Sequence, residues 1–315
     1  DMGDRKLILM TGTPLTTPAD VYGYTKFTSP DAYPSLAWFE AQHVEGRDMF
    51  GGVTGWKNED LLNRNFMYNA ARVFRREIDP DLPEVTYEPI VYELHPEHKA
   101  AYDKLAEFAL LEVGDSKVDA TTVQKLNMML QQIIIGYEGF FDSPAEALKA
   151  RSKVAGLELL DSVMESLGDR KLIVFAYYQK AIQAVLSHGE KYNAVAVYGG
   201  VSDSQRNASL DKFVNDPKCR LLIGQPISMG SGLDSLKDVC SDILFLELPM
   251  IAKDFIQAVG RIDRNGQKQR CHVRLATAAG TLQVRRQKSL LAKDEEANKI
   301  QLTYKDLRDW IFGDE

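Results

Sequence analysis

Five short apolar runs after residue 153 leave this chain few folds to choose from. They are KLIVFAY (171–177), NAVAVY (193–198), RLLIG (220–224), DILFLEL (242–248) and HVRLAT (272–277). Each is strand-sized and rich in Val, Ile, Leu and Phe. Helix-like segments at 178–190, 203–215 and 253–264 lie between most of them, and another at 155–167 precedes the first. Continuous apolar strands alternating with helices read as βαβ units around a parallel sheet buried on both faces. One α/β domain is therefore placed at 151–290.

The first half reads differently. An apolar run, LILMTGTP, is followed by aromatic, turn-rich sequence and a helical pattern from Asn58 to Ile78 that stops at DPDLP. TYEPIVYEL reads as an edge strand, because Pro89 cannot donate to a ladder on both sides. The division expected is 1–84 as the end of a first lobe, 85–150 as a mostly helical connector, 151–290 as the α/β lobe and 291–315 as a helical tail. The chain opens on a strand-like run almost at once, so a further part encoded upstream is expected.

At 315 residues, about two domains fit, and the 44% hydrophobic and 26% charged content suits a globular protein rather than a disordered one. A net charge of −7 gives no general attraction for nucleic acid or anionic membrane, so any polyanion is bound by a local patch. Cys219, Cys240 and Cys271 form no C-x-x-C pair, which argues against a zinc site or disulfide framework and for a reducing compartment. No apolar run is long enough to span a membrane, and no signal peptide is spelled. An intracellular protein is expected. No G-x-x-x-x-G-K-[ST] phosphate loop occurs; GGVTGWK has the wrong spacing. DEEA (294–297) reads as a solvated helix face. His95 and His98, in H-x-x-H spacing, read as a helix start rather than a metal site, and no metal ligand set is expected.

The segment DFIQAVGRIDRNGQKQR (254–270) carries the most specific chemistry. At about 100° per residue, Phe255, Val259 and Ile262 form one apolar stripe. Gln257, Arg261 and Arg264 fall on the opposite face beside Gly260. A guanidinium is a planar, permanently charged fork suited to phosphate oxygens, and a glycine lets a bulky group approach the backbone. Asp254-x-x-Gln257 also fits a capping box. Three more phosphate-friendly features follow predicted strands: TGTP (11–14), YGGVSDSQR (198–206) and GQPISMGSGLD (224–234). Ligands of open α/β sheets bind at the carboxyl ends of strands, and glycine loops at helix N-termini offer N–H groups to phosphates.

In order and spacing these segments resemble the C-terminal portion, motifs III to VI, of a Swi/Snf-like superfamily-two helicase or translocase ATPase. LMTGTPL resembles motif III, KLIVFAYY motif IV, LLIGQPISMGSGLDSL motif V and QAVGRIDRNGQ motif VI, written Q-A-x-G-R-x-x-R-x-G-Q. FRREIDPDLPEVTYEPIVYELHPEHKAAYDKL resembles the R-R stretch and helix start between them. Asp234 stands where close relatives have Asn, Asn265 where they have Ile, Leu15-Thr16-Thr17 where motif III has L-Q-N, and Ile78 where a basic residue is expected.

The resemblance implies a RecA-like parallel sheet flanked by helices, preceded by a mostly helical segment and the end of the first RecA-like lobe. It implies ATP with magnesium as cofactor, the magnesium ligands lying in the N-terminal lobe. Arg261 and Arg264 become fingers to the γ-phosphate, with Gln257 orienting them and Gly260 beside the nucleotide. Gly230, Gly232 and Asp234 touch the nucleotide. Gly199, Gly200, Ser202, Ser228 and Ser231 grip the phosphates of DNA, read through its backbone without sequence specificity. Thr11, Gly12 and Thr13 couple the lobes, and the N-terminal lobe is the implied protein partner. Short insertions between motifs point to a compact phage or bacterial translocase, in the cytoplasm, with a nuclear protein as the alternative. Two other functions fit the sequence: a motor-derived module that binds DNA or a partner without turnover, and an RNA helicase of the same superfamily.

Overall fold

The computed structural model describes residues 7–11, 15, 17–47, 51–71, 79–114, 120–137, 143–151, 153–225, 228–229, 235–249 and 252–284. They fall into two compact units: the described part of 7–80 with 252–256, and 81–249 with 257–284.

In the first unit, helices α1 (Asp20–Thr28), α2 (Leu36–His43) and α3 (Glu59–Met67) accompany a hairpin of β1 (Val44–Arg47) and β2 (Val53–Trp56). Leu15, Val21, Tyr33, Phe39, Leu62 and Phe66 form its core. His43 is buried among them. Its Nδ1 donates to the Lys57 carbonyl (3.3 Å), so its Nε2 accepts from the Tyr33 hydroxyl (2.8 Å). Burial holds its pKa below the usual histidine value. The GGVTGWK segment (51–57), which has the wrong spacing for a phosphate loop, holds strand β2 at Val53–Trp56. Helix α3 ends at Met67, short of the expected Ile78, and 72–78 lie outside the described residues.

The second unit is a six-stranded sheet in the order β3-β8-β7-β4-β6-β5, parallel at every pairing. Its strands are β3 (Val85–Tyr92), β4 (Leu172–Phe175), β5 (Val195–Val197), β6 (Leu221–Gly224), β7 (Asp242–Phe245) and β8 (Cys271–Ala278). Every residue of β4, β6 and β7 is buried, as a sheet covered on both faces requires. β3 lies at the sheet edge, as Pro89 predicted, in register with Pro89 opposite Leu275.

Helices α4 (Pro96–Gly114), α5 (Ala120–Ile135) and α6 (Pro144–Arg151) follow β3. Next come α7 (Ala155–Leu167), α8 (Gln179–His188), α9 (Asp203–Asn215), α10 (Leu236–Val239) and α11 (Ala252–Val259). α7 and α9 occupy the spans the sequence predicts. Leu157, Leu160 and Met164 of α7 pack into one core with Leu172, Val174, Leu221, Ile223 and Leu244 of the sheet. Among the described residues no helix is long and apolar enough to cross a membrane.

The start of α4 explains the H-x-x-H pair. The His95 carbonyl accepts from the Lys99 N–H at 2.7 Å, and its ring Nε2 lies 2.9 Å from Glu158. His98 is buried, bonds the Ile133 carbonyl at 2.8 Å and stacks on Tyr137.

Gly136, just past α5, sits against the first turn of α8. A Cβ there would meet Lys180 Cβ at 2.8 Å, the Gln132 carbonyl at 2.9 Å and Lys180 C at 3.0 Å. Two of these atoms are main chain and cannot swing aside. Gly136→Ala is expected to cost about 1–3 kcal/mol through overpacking, readable as a lower urea midpoint. An unchanged midpoint would show that α5 and α8 separate freely.

Candidate functional site at the carboxyl edge of the sheet

Because all six strands are parallel, the segments leaving β4, β5, β6 and β7 open at one edge, where α/β proteins bind ligands. α11 leaves from the β7 side but runs back along the sheet, so the turns that carry Arg261 and Arg264 end near Cys240 and Ser241, at the amino end of β7, and not among the other loops as the sequence led one to expect. Phe255, Val259 and Ile262 are buried, at 5%, 4% and 0% exposure, so the predicted apolar stripe is real. Gln257, Gly260, Arg261 and Arg264 remain partly exposed.

Two details differ from expectation. The helix begins at Ala252, so Asp254 lies in its first turn and is no N-cap. Burial also pushes the Asp254 carboxyl above its usual pKa. The helix then ends at Val259, so Arg261 and Arg264 ride on turns and not on a helix face. Gly260, the weakest ordinary helix former, sits at that boundary. Beyond it the chain tightens: Arg261 N–H bonds the Ala258 carbonyl (3.1 Å) and Ile262 N–H the Val259 carbonyl (3.1 Å). Such i→i−3 bonds commonly close a last turn.

The loops after the other strands are laced together by two side chains. Glu247, buried just past β7, accepts from the N–H groups of Tyr177 (2.6 Å) and Tyr178 (3.0 Å), just past β4. Gln225, just past β6, donates from Nε2 to the Tyr177 carbonyl. Its Oε1 accepts from the Gly199 N–H (3.0 Å) and the Ser228 hydroxyl (3.0 Å). The Tyr92 hydroxyl is buried at the end of β3, and burial, then the Glu247 charge, push its pKa up.

This lacing bears on the expected phosphate grip. The N–H of Gly199 and the hydroxyl of Ser228 are already donated to Gln225. The N–H of Ser202 goes to Gln205 Oε1 (3.0 Å) in a complete capping box at the start of α9. Three of the expected donors are thus held internally, and a phosphate there would have to displace an amide oxygen. Gly200 is exposed at the same edge, and Thr11 is exposed in the other unit. Gly12, Thr13, Gly230, Ser231, Gly232 and Asp234 lie outside the described residues, as does DEEA.

Gln225 and Glu247 escaped the sequence reading. Glu247 had a signal: it is a lone acid inside the apolar run LFLELP, and a buried carboxylate must find donors. Gln225 had none. Among the described residues no group of three or more His, Cys, Asp or Glu side chains could hold a metal ion.

Comparison with known proteins agrees with this geometry. Residues 155–266 match the family described as helicase conserved C-terminal domain. The chain is 31% identical over 108 residues to the ATP-dependent RNA helicase DBP3 of the yeast Lodderomyces elongisporus, covering 33% of this chain and 19% of that protein. It is 24% identical over 224 residues to the DNA repair and recombination protein RAD54-like of Drosophila persimilis, covering 62% of this chain and 28% of that one. The Sulfolobus solfataricus SWI2/SNF2 ATPase core in complex with dsDNA shares the fold with a TM-score of 0.53 and 20% identity, over 96% of this chain and 66% of that one. This chain therefore spans between 19% and 28% of the two curated relatives' lengths. Both are eukaryotic and give no support to a phage or bacterial source.

Proposed function

With residues 155–266 forming a helicase conserved C-terminal domain, on the fold of Swi/Snf-type ATPase cores, we propose that the chain supplies the second motor lobe of an ATP-dependent translocase on duplex DNA. The observation that carries this is the segment after β7: its apolar stripe is buried, and Gln257, Arg261 and Arg264 are left partly exposed beside it. A pure binding module has no use for two guanidiniums so placed.

In the full-length protein, ATP with magnesium would be held by the phosphate loop and acidic box of the first lobe, neither of which this chain spells. Arg261 and Arg264 donate N–H groups to γ-phosphate oxygens and neutralise charge that grows as the phosphoryl group transfers. Gln257, one turn back, orients Arg261. Duplex DNA is preferred to RNA because the match to the DNA-repair relative covers 62% of the chain, against 33% for the RNA helicase. The structural neighbour also carries dsDNA.

The test is phosphate release by the full-length protein with duplex DNA, single-stranded DNA or duplex RNA. Stimulation by duplex DNA is expected. Stimulation by RNA alone would move the chain to the RNA helicases, and no stimulation by any polymer would favour the binding module.

The internal bonding of Gly199, Ser202 and Ser228 adds a second expectation. With a net charge of −7 and these donors held, the 315-residue chain alone should make few phosphate contacts. Each neutralised phosphate adds about 0.9 to the slope of log K against log salt, so a shallow slope and a Kd of roughly 10⁻⁴–10⁻⁶ M are expected, alike for unrelated duplexes. Nanomolar binding, or preference for one sequence, would contradict a backbone-tracking surface.

A further inference from the structure

We infer that Gln267 is the positioning residue for the two arginines, fixing through its side-chain amide the turn that carries them; this rests on the reading of Arg261 and Arg264 just given. Gln267 is only 6% exposed. It follows Gly266, whose φ of +89° belongs to a region that L side chains rarely adopt. The chain therefore doubles back, and the glutamine points beneath the segment it has just left.

A primary amide offers two N–H groups and an oxygen with two lone pairs. All four are used here. Nε2 donates to the carbonyls of Ile262 (3.2 Å) and Cys240 (3.2 Å). Oε1 accepts from the N–H groups of Lys268 (2.9 Å) and Gln269 (2.9 Å). The Gln267 N–H also bonds the Arg264 carbonyl at 2.9 Å. One residue thus holds the carbonyl just after Arg261 and the carbonyl of Arg264 itself.

What it holds them to is rigid. Cys240 ends α10, with its N–H on the Leu236 carbonyl (2.9 Å), and leads into the fully buried β7. The Ser241 hydroxyl oxygen lies 3.1 Å from Gln269 Oε1, so the entry to β8 is held at the same point. The N–H groups of Arg261, Ile262 and Asp263 bond back to Ala258 and Val259 of α11. Of these contacts, the Gln267 amide is the one that references the arginine turn to the sheet.

Finger catalysis depends on placement, and an error of about 1 Å costs on the order of 10²-fold in rate. Two replacements separate placement from plain stability in the full-length protein. Gln267→Met keeps the length and removes every side-chain bond, leaving the main-chain bond to Arg264. Gln267→Glu keeps the acceptor side and turns a carboxylate oxygen towards two carbonyls. Each is assayed for kcat, KM for ATP, duplex-DNA affinity and Tm, alone and combined with Arg261→Ala and Arg264→Ala together, under single-turnover conditions where rates are low.

Both are expected to lower kcat on the order of 10²-fold with KM and DNA affinity near wild type, and to add nothing in the background that lacks both arginines, where no finger remains to place. A role in stability alone would lower the active fraction equally in both backgrounds, and losses that multiply would overturn the inference. Wild-type turnover in either folded variant, beside an inactive Arg261→Ala, would overturn it while leaving the arginine reading intact. Wild-type turnover in Arg261→Ala would overturn both. Should the methionine variant not fold, the glutamate variant decides.

Discussion

Arg261→Ala in the full-length protein is expected to reduce DNA-stimulated ATP hydrolysis on the order of 10³–10⁵-fold, the range for arginine fingers in phosphoryl transfer, while leaving duplex-DNA affinity close to wild type. The asymmetry follows from geometry. Arg261 is partly exposed, and the buried side of its segment is made by Val259 and Ile262, which the substitution leaves alone. The fold should therefore survive, and what is lost is the fork proposed to meet the nucleotide. Arg261→Lys sharpens the test. It keeps the charge but not the planar pair of donors, so it should recover only a small part of the rate. Phosphate release and fluorescence anisotropy with a labelled duplex, measured on the same preparations, decide the matter. If affinity for DNA falls as far as turnover does, Arg261 belongs to the DNA surface and the assignment fails.

The apolar stripe behind that prediction was legible in the sequence, whereas the end of the helix was not. Phe255, Val259 and Ile262 are spaced for a helix and all are buried, yet the helix stops at Val259. The same alternation of burial continues because the turns after Gly260 keep helix-like bonds. The strands β4, β6 and β7 were legible because a strand buried on both faces must be apolar at every position. Pro89 marked the edge strand for the opposite reason, a missing donor.

The hairpin of β1 and β2 left no such trace. Its eight residues include Gly46, Gly55, Glu45 and Arg47, and most are exposed or half-buried. The chemistry of the carboxyl edge was legible only in part. That loops after strands would gather there follows from the parallel pattern. That Gln225 would take the N–H of Gly199 does not, because the partners lie 26 residues apart and nothing in local spacing records the meeting. A glycine loop advertises free donors, and the side chain that occupies them comes from another strand.

A buried ionic cluster at the start of β7 carries charge for a different purpose, and there the expected effect is on stability. Asp242 opens β7 and is fully buried. Its Oδ2 lies 2.7 Å from Arg170 and accepts from the Ser241 hydroxyl, and its Oδ1 lies 2.9 Å from Arg274 of β8. Arg274 also reaches Glu88 of β3, at 3.3 Å, so three neighbouring strands meet in one ionic cluster. Arg274 is 12% exposed, and removing Asp242 would leave its charge poorly solvated and paired only with Glu88. Breaking a buried pair from one side costs about 3–5 kcal/mol, whereas replacing both partners by apolar residues of similar size is often neutral or stabilising.

Asp242→Ala is therefore expected to lower unfolding stability by about 3–5 kcal/mol, while Asp242→Leu with Arg274→Met recovers most of the loss. Urea denaturation followed by circular dichroism measures both. A double variant as unstable as the single one would show that the cluster supplies net stability instead of merely tolerating burial.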